Sequence, residues 1–205
     1  MNTVSYASVE KIRFLAANFS RLQGLRAVPI GLLLFSVSYW ANRQSGPAAD
    51  LSLPILLGVV CLLAAVLAEQ YYRRAFGRVK PAGSARRADW LVSAASGVAA
   101  LAAFIAETRF DLPFSPVGLV FAAVLWVEYI RFTRYSRNWY TTLMLMQALL
   151  VGLLSILPVL GLGQVWHRLG VKADLPGICM AVGLLLAING LISHWFFMKT
   201  LPKEA

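Results

Sequence analysis

Residues 175–198 read LPGICMAVGLLLAINGLISHWFFM, followed by Lys199. The run holds no Lys, Arg, Asp or Glu. At 1.5 Å rise per residue it makes a helix of about 36 Å, enough to cross the ~30 Å hydrocarbon core of a bilayer. A polar tail of His194, Trp195 and Lys199 closes the run, as expected where a span reaches the headgroups. Read outward from this segment, the chain repeats the pattern. Further apolar runs cover about 27–42, 51–72, 90–106, 112–130 and 140–166, with Glu69 and Glu128 the only charged residues within them. The shorter ones fit a bilayer by tilting less or by local thinning.

Composition agrees. Of 205 residues, 59% are hydrophobic and 14% charged, where soluble domains carry about 25% charged residues. This excludes a disordered chain, a soluble enzyme domain and a secreted disulfide scaffold. The two cysteines, Cys61 and Cys179, lie inside apolar runs and read as small hydrophobes. The fold class is all-α: a polytopic membrane protein, a six-helix bundle forming one integral domain over 1–205. Ile12, Leu15, Phe19 and Leu22 recur at helical spacing, with Lys11, Arg13 and Arg21 among them. That pattern predicts an amphipathic interfacial helix over 5–25, not a cleaved signal peptide.

Prolines mark where spans begin. Pro29, Pro54, Pro113 and Pro176 each fall in a first turn, where a missing N–H costs little. Pro158 lies late in the fifth run. It predicts either a kink or a turn leaving the membrane over 157–163. The spans follow one another as three hairpins.

The formal net charge is +10. In a soluble protein that would suggest nucleic acid. Here the cations sit in the loops, so the expected partner is the bilayer and its anionic lipids, not nucleic acid. Fifteen of the 19 Lys and Arg flank one set of span ends; only Arg43, Arg109, Arg168 and Lys172 flank the other. The positive-inside rule then places both termini in the cytoplasm, and the protein in a plasma membrane of the bacterial inner-membrane type. Trp40 and Trp166 fall at outer ends, and Trp90, Trp139 and Trp195 at inner ends, the levels that amphipathic rings favour.

Ionisable groups inside spans are the first candidates for chemistry. They are Glu69, Glu128 and His194. Glu69 has Arg73 at i+4 and Glu128 has Arg131 at i+3, spacings that pair on a helix face. Arg73, Arg74, Arg78, Arg131, Arg134 and Arg137 form a basic collar suited to anionic lipid or phosphate. Glu107, Arg109 and Asp111 read as a solvated outer turn. Small residues at helical spacing predict close helix contacts. Ser93, Gly97 and Ala100 mark one such face, and Gly183, Ala187 and Gly190 another.

No zinc, magnesium or phosphate-loop motif is present, so neither a cofactor nor a metal is expected. The first expectation for function is a non-catalytic accessory, assembly or regulatory subunit, bound to a membrane-protein partner or to further copies of itself. The second is a small transporter or lipid-handling protein, motivated by Pro158 and the two acids. The third is an intramembrane enzyme built from Ser96, His194 and Glu128.

Overall fold

A computed structural model describes residues 19, 22–43, 52–76, 83–110, 112–133, 139–162, 164–168 and 174–200. A 3-10 turn, Gly24–Arg26, leads into α1 (Ala27–Arg43). Then come α2 (Ser52–Phe76), α3 (Gly83–Arg109), α4 (Pro116–Thr133), α5 (Trp139–Ile156), the short α6 (Gln164–Arg168) and α7 (Asp174–Thr200). All but α6 contain a segment long and apolar enough to cross a membrane, six in total. The described residues contain no strand. Most of the expected interfacial helix over 5–25 lies outside the described residues. Of its apolar stripe, Leu22 is fully buried, and Phe19 meets Phe197 edge-on at 5.6 Å.

The centre of the bundle is the antiparallel pair α1 and α7, the most extensively packed helices. Glycines let their backbones touch. A Cβ placed on Gly31 would lie 2.5 Å from the Gly183 carbonyl oxygen, and one on Gly183 would lie 2.6 Å from the Gly31 carbonyl oxygen. Two turns away, a Cβ on Gly190 would lie 2.6 Å from the Gly24 carbonyl oxygen. Ala187, buried, fills the space between the two crossings. Lipid offers no hydrophobic drive for helices to associate, so dispersion across such close contacts carries the packing. This also explains why α7 packs chiefly on α1 rather than on α5, the preceding long helix.

Helix α2 lies along α1. Its Cys61, Ala64, Ala65 and Ala68 are half-buried, while Ile55, Leu56, Val59, Leu62, Leu63 and Leu67 are exposed. On the other flank α4 and α5 form a second close pair, joined where Gly118 meets the Ser155 side chain. Helix α3 packs mainly on α4.

Helix α5 stops at Ile156, and Leu157–Gly161 form a turn. Pro158 lacks the N–H that would extend the ladder. Leu162 N–H donates to the Leu157 carbonyl at 3.0 Å and Gly161 N–H to the Pro158 carbonyl at 3.1 Å. With Gly161 at φ +74°, these bonds form a Schellman closure. The chain then returns through α6, whose Trp166 lies against Gly177 at the start of α7. Trp166 is buried. Gly177 has no side chain there, and the indole occupies that space.

Candidate functional site

The end of the bundle carrying Arg26, Arg73 and Arg131 is held by one buried cluster. Leu22, Tyr72, Phe132, Tyr140, Met144 and Phe197 meet there, drawn from the N-terminal segment, α2, α4, α5 and α7. On α2, Ala65, Ala68, Glu69 and Tyr72 recur at helical spacing on the half-buried to buried side. That spacing carries Tyr72 into the cluster. Its hydroxyl accepts the Leu25 N–H at 3.3 Å and lies 2.8 Å from Nδ1 of His194.

The next residue back on α7 faces another helix. Ser193 Oγ donates to the Asn189 carbonyl at 2.7 Å and sits 2.5 Å from the Tyr140 hydroxyl. Since the serine proton is committed to Asn189, the Tyr140 hydroxyl donates to Ser193 Oγ. Consecutive residues on a helix point about 100° apart. Ser193 and His194 therefore tie α7 to tyrosines of α5 and α2 at one level.

The two acids are separately neutralised. Glu69 accepts from Arg26 at 3.0 Å and also pairs with Arg73. It thus joins the 3-10 turn to α2, a cross-element pair that i+4 spacing alone does not reveal. Glu128 pairs with Arg131 at 3.0 Å, with side chains 24% and 19% exposed. Arg74 is exposed on α2 beside Tyr71. Arg78, Arg134 and Arg137 lie outside the described residues.

At the opposite end Glu107 is a helix cap rather than part of a solvated turn. Its carboxylate accepts from the Ser115 hydroxyl at 2.8 Å and from the Val117 N–H at 3.0 Å. Ser115 Oγ in turn accepts the Gly118 N–H at 3.2 Å. A carboxylate at the first turn of α4 satisfies free N–H groups and faces the positive end of the helix dipole. Asp111, grouped with it in the sequence, lies outside the described residues.

The two small-residue faces lie in different surroundings. Gly183, Ala187 and Gly190 meet α1. Ser93 and Gly97 on α3 are exposed, Ala100 is half-buried, and a Cβ on Gly97 would meet nothing within 4 Å. The side of α3 toward α4 runs one step round, through Val92, Ser96, Ala100 and buried Ala103.

In the middle of the bundle a cavity of about 110 Å³ lies between α4, α5 and α7. Phe121, Val151, Val182 and Leu186 line it, and Gln147 and Asn189 are its amides. Gln147 sits at the centre of α5 and is buried. Asn189 Oδ1 is buried with no hydrogen-bond partner among the described residues.

Ser96 is on α3, Glu128 pairs with Arg131 on α4, and His194 bonds Tyr72 on α2. Among the described residues no three His, Cys, Asp or Glu side chains group closely enough to hold a metal. No family model, curated protein or solved structure matches the chain.

Several of these residues escape a reading by pattern. Tyr72, Tyr140 and Ser193 look like ordinary span-end residues, and their partners are distant in the chain. Asn189 carries a signal: it is the one carboxamide in the 175–198 run. Gly24 and Gly31 share the two-turn spacing of Gly183 and Gly190, a match visible once the two runs are compared in antiparallel order.

Proposed function

We propose that this protein is a non-catalytic accessory, assembly or regulatory subunit of a membrane complex, and that α3 is the helix its partner docks against. The observation that carries this reading is the open small-residue side of α3. Ser93 and Gly97 are exposed on a helix fastened mainly through α4. In α7 the same residue types accompany a close backbone contact with another helix. Small side chains facing lipid gain little there, whereas against a second helix they allow close approach. The ion pairs of Glu69 and Glu128 and the capping bonds of Glu107 support a structural use of these acids.

In this reading the basic end faces the cytoplasm of a bacterial inner membrane, with both termini on that side. Arg73, Arg74 and Arg131, with Arg78, Arg134 and Arg137, then hold anionic lipid headgroups. Each cation near such a leaflet contributes about 1 kcal/mol.

The test is a photo-crosslinking amino acid placed singly at Ser93, Gly97 and, as a control, Leu63 on the outer face of α2. Crosslinking is done in intact membranes. The expected result is a discrete protein adduct from Ser93 and Gly97 and lipid adducts alone from Leu63. The adduct mass separates a second copy from a different chain. Lipid adducts alone at all three positions would overturn the proposal.

A further inference from the structure

The cavity between α4, α5 and α7 has one feature that packing does not explain. Its walls are apolar side chains, yet Asn189 lines it with a buried carbonyl oxygen that has no partner. A buried amide oxygen with no partner needs a donor. At mid-membrane depth there is little bulk water to supply one, and an unmatched acceptor is unfavourable there.

Size narrows the occupant. A cavity of about 110 Å³ is somewhat smaller than the ~150 Å³ apolar cavities that take benzene. It suits one ring or a short branched chain, not a diacyl lipid. We propose that this cavity binds a membrane-dissolved apolar molecule, about one ring in size, whose hydroxyl or N–H donates to Asn189 Oδ1. Phe121, Val151, Val182 and Leu186 supply the apolar wall, and Gln147 gives a second polar contact for the same group. The site needs no partner chain and so stands apart from the docking surface on α3.

The experiment uses the full chain in lipid nanodiscs, with 4-fluorophenol and fluorobenzene as probes read by 19F NMR against empty nanodiscs. The two probes share a ring and differ by the donor. The expected result is a saturable, protein-dependent signal with fluorophenol bound about tenfold tighter than fluorobenzene, the worth of one buried hydrogen bond. Leu186→Phe fills the cavity and leaves the Asn189 network intact; it is expected to weaken both probes at least about tenfold. Asn189→Leu is expected to abolish the preference for the hydroxyl. Equal binding of the two probes, binding that survives Leu186→Phe, or no protein-dependent signal would each overturn the proposal.

Discussion

Glycine behaves in two opposite ways in this chain. Gly183 has the Gly31 carbonyl oxygen and the Phe35 nitrogen each 2.6 Å from where a Cβ would sit. Both are backbone atoms that cannot turn aside, so Gly183→Ala must push α1 and α7 apart. Overpacking of this kind costs about 1–3 kcal/mol, which chemical unfolding in mixed micelles would register as an earlier midpoint. Gly97 meets nothing within 4 Å. Gly97→Ala is expected to leave the midpoint unchanged or raise it, since alanine favours a helix by up to about 1 kcal/mol. A polar counterpart is Tyr72. Tyr72→Phe leaves the Leu25 N–H and His194 Nδ1 without their shared partner, a loss of about 1–3 kcal/mol when such groups are buried. The same unfolding measurement checks it. None of these contrasts is visible in residue type alone. Gly97 and Gly183 both read as small residues in an apolar run, and only the neighbouring helix distinguishes them.

The spans were legible because bilayer thickness demands long apolar runs, and six such runs stand out among the described residues. Their ends were less so. The Pro158 segment admitted a kink or an exit, and the outcome depended on Gly161 adopting φ +74° to close the turn. The burial of Trp166 on Gly177 is hidden in the sequence, because that contact is made only after the chain reverses. Glu107 looked solvated because sequence distance hides its bonds to Ser115 and Val117. Its role as a cap on α4 has a testable consequence. Glu107→Ala removes a charged acceptor from the first turn, at an expected cost of about 1–2 kcal/mol. The midpoint should fall with Glu107→Ala and recover in part with Glu107→Gln, which keeps one acceptor. Equal midpoints for wild type and Glu107→Ala would remove the cap from this description.

As a whole, the molecule is a tight core with a loosely attached helix. The α1–α7 pair is locked by glycine contacts, and two hydroxyl bonds fix α7 to its flanks at the basic end. Helix α3 has one principal neighbour and an open small-residue side. That asymmetry is what a subunit with a reserved docking helix would present. It was only partly foreseeable: Ser93, Gly97 and Ala100 mark a contact face in the sequence, but which face stays open depends on how α3 lies on α4. The most direct test is native mass spectrometry of the wild-type chain and Gly97→Leu, extracted gently in native-like lipid. A Cβ at this position meets no described atom within 4 Å, so Gly97→Leu is expected to be accommodated within the chain while blocking close approach by another helix. Docking through α3 requires a stoichiometric protein partner, or a second copy, on the wild type and its loss from Gly97→Leu at an unchanged unfolding midpoint. A wild-type chain that travels alone, or a partner retained equally by Gly97→Leu, would contradict it.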